Sequence, residues 1–96
     1  MATRIQLDFT NLGLDDYDNV CKTLNFPADW PDGLLAHTSV EVDGRLRVVD
    51  VWESPAEFDR FVEHRLGQAI GQALGERAEQ PGRTETQLHT FFSRPT

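Results

Sequence analysis

The sequence has little of several features that usually direct the search for a function. It contains one cysteine, so an internal disulfide is excluded. It has no apolar run long enough to span a membrane, and residues 1–9 lack the continuous apolar segment of a signal peptide. Its 16 acidic and 9 basic residues give a net charge of −7, which opposes contact with nucleic acid or anionic lipid. These absences predict a cytoplasmic protein that binds neither nucleic acid nor membrane.

The remaining composition is that of a small folded domain. With 96 residues, 39% of them hydrophobic, the chain suits a single domain over residues 1–96. A small core leaves much of the surface exposed, which favours self-association.

The first third of the chain predicts a strand, a helix and a loop. Residues 4–9 alternate apolar and polar side chains, as a strand with one apolar face does. Residues 14–24 carry apolar side chains at helical spacing. Residues 26–33 contain two prolines and a glycine and therefore form a loop. Trp30 in this loop is either a lid over a pocket or a plug at the edge of the core.

Two further strands follow and form a hairpin. Residues 34–42 and 46–52 are strand-like, and Asp43-Gly44 between them suits the positive φ angles of a tight turn. Residues 84–93 return to a β-rich composition and predict strand four.

Ser54 marks the best-defined boundary in the sequence. Its hydroxyl can cap a helix, Pro55 suits the first helical position, and Glu57 completes an S-x-x-E capping box. Apolar residues then recur at steps of three and four: Phe58, Phe61, Val62, Leu66, Ala69, Ile70, Ala73 and Leu74. The pattern predicts one long amphipathic helix.

The element order β-α-β-β-α-β predicts an α+β, ferredoxin-like sandwich with strand order 4-1-3-2 and both helices on one sheet face. The other face is then uncovered. Val48, Val49 and Val51 place apolar groups on both sides of strand three, and Phe91 with Phe92 does so on strand four. A homodimer that covers this face is the predicted assembly.

At this point the chain resembles a known superfamily. The segments Gly-Leu-Leu-Ala-His at 33–37 and Val-Val-Asp-Val-Trp-Glu-Ser at 48–54, followed by Phe58 and Phe61, are similar to those of dimeric α+β barrel proteins. Within that superfamily the chain looks most like small proteins of the antibiotic biosynthesis monooxygenase type. The resemblance implies two sheets that form a barrel, helices outside, and a ligand cavity between sheet and helices in each subunit.

Members of this superfamily oxygenate polyketide quinones without a cofactor, cyclise polyketides, degrade haem or bind small molecules. Oxygenation without a cofactor needs a base, a hydrogen-bond donor and a dry aromatic pocket. We therefore predict that Asp50 and His37 are catalytic and that Trp52, Tyr17, His89 and Phe58 bind a small aromatic or polyketide-like substrate. No cofactor is expected, and the absence of metal-ligand spacing predicts no metal site.

Asp50 is the most unusual residue, because it is a carboxylate inside an apolar strand. It is either a base or substrate acceptor in the cavity, or it pairs with Arg47, Arg4 or Arg45 on the sheet. Trp52 shares its face and is either core or pocket wall. His37 is either a proton-transfer group or a structural histidine.

Three alternatives to a monooxygenase remain open. A cyclase would use Tyr17 with His37 or His89, although His89 lies at the opposite sheet edge and would need the dimer to share a site with His37. A non-catalytic ligand-binding or structural dimer is expected if an arginine locks Asp50 and if Trp52 and Phe58 fill the cavity. Haem degradation fits less well. The resemblance implies that a haem-degrading member has an asparagine on strand one and a histidine ligand on the second helix, whereas strand one here has no asparagine and His64 lies on the polar side of the long helix.

Overall fold

The computed structural model describes residues 2–95 and has the predicted α+β, ferredoxin-like architecture. The elements are β1 (Thr3–Asp8), α1 (Leu14–Leu24), β2 (Leu34–Val42), β3 (Arg45–Trp52), α2 (Pro55–Phe61), α3 (Gly67–Leu74) and β4 (Gly82–Gln87). A π-helical turn, Val62–Leu66, joins α2 to α3, so the predicted long helix contains one wider turn. A 3₁₀ turn, Gly75–Arg77, follows α3.

The four strands form one antiparallel sheet in the order β2-β3-β1-β4, which confirms the predicted order. The hairpin between β2 and β3 turns at Asp43 and Gly44, whose φ angles are 52° and 78°. Two consecutive positive φ angles match the right-handed twist of the paired strands. The tight turn thereby sets which residues of β2 and β3 face each other.

The start of α2 is capped largely as predicted. The Ser54 hydroxyl accepts a hydrogen bond from the Glu57 backbone N–H at 3.4 Å, and Pro55 occupies the first turn. The Glu57 carboxylate, however, contacts Arg60 at 3.1 Å on the helix surface. The side-chain half of the predicted capping box is therefore replaced by an i,i+3 ion pair.

The core lies between the sheet and the helices. Alternate residues of β1 and β3 are buried there, including Ile5, Leu7, Val48 and Trp52. Trp52 is only 1% exposed, and Phe58 of α2 packs against it. No helix within residues 2–95 combines the length and apolar character needed to cross a membrane.

The prediction for strand four was wrong in its bounds. β4 covers Gly82–Gln87, and residues 88–95 have no regular secondary structure. The reason is the sheet register, because Gln87 pairs with Thr3, the first residue of β1. Beyond that point the Leu88 N–H donates to the Ala2 carbonyl at 3.0 Å. The prediction that His89 lies on strand four is also wrong, because His89 is exposed and follows the end of β4.

The sheet face opposite the helices is mixed in character. Val49 and Val51 are half-buried on it, while Arg47 pairs with Asp8 at 2.6 Å across neighbouring strands. Phe92, beyond β4, is 89% exposed. The homodimer expected to cover this face stays a prediction.

Candidate functional site

His37 and Asp50 are direct partners across the β2-β3 hairpin, and both point toward the helices. The His37 Nδ1 atom lies 2.6 Å from Asp50 Oδ1. Asp50 is 5% exposed, so a partner for its charge is required. One of the two predictions paired Asp50 with an arginine of the sheet, and it is wrong. The partner is His37, and Arg47 lies on the other sheet face, where it pairs with Asp8.

Trp52 provides the second contact of the Asp50 carboxylate. It follows Asp50 by two residues, faces the same side, and donates its indole N–H to Asp50 Oδ2 at 3.2 Å. Its ring also packs against Phe58 and Phe61, with centroids 5.4 and 5.5 Å away. Trp52 therefore belongs to the core and also contacts the site, and it holds the carboxylate oxygen that His37 does not use.

Tyr17 reaches this pair from α1. Its hydroxyl oxygen is 2.6 Å from His37 Nε2, and the two rings are stacked at 5.8 Å. The start of α1 is anchored by Asp16, whose carboxylate accepts from the Gly13 backbone N–H at 3.0 Å and from the Arg77 guanidinium at 2.8 Å. These contacts lower the pKa of Asp16, the Arg77 hydrogen bond having the largest effect. The position of Tyr17 over His37 thus follows from a charged anchor one residue earlier.

The hydrogen bonds of this group have one consistent direction. The Asp50 carboxylate can only accept, so we assign a proton to His37 Nδ1, and in the tautomer with this one ring proton Nε2 is an acceptor. Tyr17 then donates its O–H to Nε2. We call the three residues Tyr17, His37 and Asp50 the relay. Its order, a hydroxyl, an imidazole and an orienting carboxylate, is that of a nucleophile-base-carboxylate triad.

Tyr17 is a protonated phenol throughout the neutral range. Burial, followed by the neighbouring Cys21 thiol, raises the pKa of Tyr17 to about 12, while the Ser39 hydroxyl partly opposes the rise. Burial also raises the pKa of the Cys21 thiol. Both groups therefore stay uncharged at pH 7, and Tyr17 acts as a donor in the relay.

A cavity of about 80 Å³ lies between the sheet and the helices, and all three relay residues line it. We call it the inner cavity. Most of its wall is apolar and includes Leu7, Val20, Leu24, Leu34, Leu66 and Ile70. Within residues 2–95, every buried side-chain nitrogen or oxygen has a hydrogen-bond partner. The relay thus meets a largely apolar space, which strengthens its electrostatic interactions.

The structure brings together five of the six predicted site residues. Asp50, His37, Tyr17, Trp52 and Phe58 all line the inner cavity. His89 is exposed in the segment after β4 and does not join them within the protomer. Within residues 2–95, no three His, Cys, Asp or Glu side chains are grouped to hold a metal ion.

Phe26 and Cys21 also line the inner cavity and were not predicted to do so. The Phe26 ring meets the His37 ring edge-on at 4.8 Å. Cys21 lies one helical turn after Tyr17 and therefore shares its face of α1, a spacing that could have identified it. Nothing in the loop sequence indicated that the Phe26 side chain points into the inner cavity.

The fold is similar to that of several solved structures, among them proteins described as antibiotic biosynthesis monooxygenases. The similar solved structures include Rv0793 from Mycobacterium tuberculosis, which is 15% identical with a TM-score of 0.68 over 97% of this chain and 100% of that one. A candidate antibiotic biosynthesis monooxygenase from Chloroflexus aurantiacus is 15% identical, with a TM-score of 0.66 over 97% and 98% of the two chains. SnoaB from Streptomyces nogalater, a cofactor-independent oxygenase, is 15% identical, with a TM-score of 0.63 over 97% of each chain.

At these identities the likeness shows the fold. The resemblance inferred from the sequence is thereby confirmed at the level of fold. No protein-family model matches the sequence, and a search of curated proteins gives no match.

Proposed function

We propose that this protein is an acid-base enzyme that oxygenates a small aromatic substrate without a cofactor. The observation that carries the proposal is that His37 and Asp50 line one cavity together with Tyr17, and that Asp50 is paired with His37. This arrangement supports catalysis over a purely structural carboxylate. The fold shared with SnoaB, a cofactor-independent oxygenase, agrees with it.

Proton transfer would run from the substrate through Tyr17 to His37. A phenol with a pKa of about 12 is ionised in roughly one molecule in 100,000 at pH 7, so a free Tyr17 phenolate is an inefficient base. In the relay, Tyr17 accepts the substrate proton on its oxygen as its own proton passes to His37 Nε2. The imidazolium that forms is stabilised by Asp50, whose other oxygen is held by Trp52.

The substrate itself would supply the electrons for oxygen. Removal of a proton from an aromatic carbon acid leaves an electron-rich enolate that reacts with O₂. For a methylene group the overall change is R₂CH₂ + O₂ → R₂C=O + H₂O, in which the carbon loses four electrons and O₂ gains them. The apolar wall of the inner cavity would exclude water from the enolate.

The test is oxygen uptake by the purified protein with no added cofactor or metal, in the presence of a chelator. The probes are phloroglucinol, with one ring, and anthrone, a three-ring carbon acid that is converted to anthraquinone. We expect uptake above the uncatalysed rate, equimolar with product, and a loss of about 10²–10⁴-fold in His37→Gln because the base is removed. His64→Gln is the matched control, since His64 is exposed on the helix surface, and it should retain the wild-type rate.

The oxygenase proposal is contradicted if neither probe supports oxygen uptake at concentrations at which calorimetry shows that it binds. It is also contradicted if His37→Gln and His64→Gln are equally active.

We further propose that the protein works as a cytoplasmic homodimer. The half-buried Val49 and Val51 on the uncovered sheet face and the exposed Phe91 and Phe92 support the dimer. The free thiol of Cys21 supports a reducing compartment. Sedimentation should give twice the chain mass of 10.9 kDa, and a single-chain mass at micromolar concentration would contradict the dimer.

A further inference from the structure

A second space lies on the outer side of the Tyr17-His37 pair. This surface groove, which we call the outer groove, has a volume of about 600 Å³. Four residues line both the outer groove and the inner cavity: Tyr17, Cys21, Phe26 and His37. The two spaces therefore adjoin at these four side chains, two of which, Tyr17 and His37, belong to the relay.

Phe26 is the member of this dividing wall that can most readily move. Tyr17 and His37 are tied to each other by a hydrogen bond, and Cys21 lies within α1. The Phe26 ring packs against the core and contacts two other rings, edge-on to His37 at 4.8 Å and stacked on Trp30 at 5.4 Å. Its rotation would break no polar contact.

The backbone on both sides of Phe26 is held in place. Arg65 donates to the carbonyl oxygens of Leu24 at 3.3 Å and Asp29 at 2.9 Å. Trp30 donates its indole N–H to the Leu34 carbonyl at 2.8 Å. These contacts favour rotation of the Phe26 ring over a movement of the loop backbone.

The inner cavity alone is small for a ligand. Its volume of about 80 Å³ admits several water molecules or one small group. Sites that bury a drug-sized ligand typically measure roughly 300–1,000 Å³. A ligand of that size would therefore need the outer groove as well.

The polar groups of the outer groove favour an uncharged polar end on the ligand. Asp18 and Lys22 both line it, and neither has an ion-pair partner within residues 2–95. The Lys22 ammonium offers only donors, which suits a carbonyl oxygen. A full negative charge would be opposed by Asp18 and by the net charge of −7.

We propose that the inner cavity and the outer groove are two parts of one site for an elongated, uncharged aromatic ligand, divided by the Phe26 ring. One hydroxylated ring lies in the inner cavity beside Tyr17. The rest of the ligand replaces Phe26 against Trp30 and ends in a carbonyl that faces Lys22. The reactivity of the enclosed ring rests on the proposed function, and the binding of the ligand does not.

The test is calorimetric binding of three neutral probes, namely phenol, 2-naphthol and 6-acetyl-2-naphthol. The wild-type protein should bind 6-acetyl-2-naphthol at least about tenfold more tightly than phenol. Phe26→Ala should widen this preference by about another tenfold, because the ring no longer has to move aside. Lys22→Met should weaken binding of 6-acetyl-2-naphthol about threefold to tenfold and leave 2-naphthol unchanged. Circular dichroism confirms that each variant is folded.

Phe92→Ala is the matched control, since it removes the same ring from an exposed position that lines neither the inner cavity nor the outer groove. It should leave the preference between phenol and the acetylated probe unchanged. An unchanged preference in Phe26→Ala, or an equal gain in Phe92→Ala, overturns the two-part site. These experiments measure binding alone. Failure of the two-part site would therefore not contradict oxygen uptake by the wild-type protein, and failure of oxygen uptake would not contradict the two-part site.

Discussion

Replacing Asp50 with asparagine is expected to lower turnover of an oxygenated probe by about 10²–10⁴-fold, the same range as removal of His37, because the base loses the carboxylate that orients it. Two N–H donors, from His37 and Trp52, converge on the Asp50 carboxylate. An asparagine amide has one accepting oxygen and one donating nitrogen, so one of these donors would meet another donor. If His37 moves its proton to Nε2 in response, it can no longer accept the proton of Tyr17.

The Asp50→Asn protein should remain folded. Leaving one buried donor without a partner costs about 1–3 kcal/mol, against a total stability of about 5–15 kcal/mol for a domain. Asp59→Asn is the matched control, because Asp59 is exposed and pairs with Arg83 at the surface, and it should keep full turnover. Full turnover by Asp50→Asn contradicts the relay, and a variant that unfolds would assign Asp50 to stability instead.

Alkaline titration of the folded protein should give a tyrosinate midpoint near pH 12, whereas the ordinary pKa is 10.0. Tyr17 is the one tyrosine of the chain, so the ultraviolet absorbance of tyrosinate reports this residue alone. The cause is burial, with a smaller contribution from the Cys21 thiol. A two-unit difference corresponds to about 100-fold tighter binding of the proton in the folded state.

The raised pKa of Tyr17 makes the stability of the fold depend on pH in the alkaline range. The folded state holds the Tyr17 proton more tightly than the unfolded chain does, so this contribution to stability is complete below pH 10 and is lost as the pH rises toward 12. Circular dichroism at each pH shows whether the titrating protein is folded. Tyr17→Phe should show no tyrosinate signal. A midpoint near pH 10 in protein that is still folded would contradict the buried position of Tyr17.

Local patterns predicted most of the fold. The alternation in β1, the Ser54 cap and the Asp43-Gly44 turn each depend on a few neighbouring residues, and the structure confirms them. The end of β4 could not be predicted in this way. It depends on where β1 begins, since Thr3 is opposite Gln87.

Part of the relay could have been derived from the sequence. His37 lies six residues before Asp43, and Asp50 lies six residues after Gly44, so a two-residue turn at Asp43-Gly44 places His37 and Asp50 opposite each other. The contact with Tyr17 could not be derived, because it depends on how α1 docks on the sheet. That docking uses the Asp16-Arg77 ion pair, whose members are far apart in sequence.

The protonation state of His37 tests the relay most directly. Nitrogen-15 NMR of the imidazole ring distinguishes a proton on Nδ1 from one on Nε2, and it needs no substrate. The relay predicts a proton on His37 Nδ1, bonded to Asp50, and an Nε2 that carries no proton and accepts from Tyr17. A proton on Nε2 would contradict it, whether or not Nδ1 is also protonated.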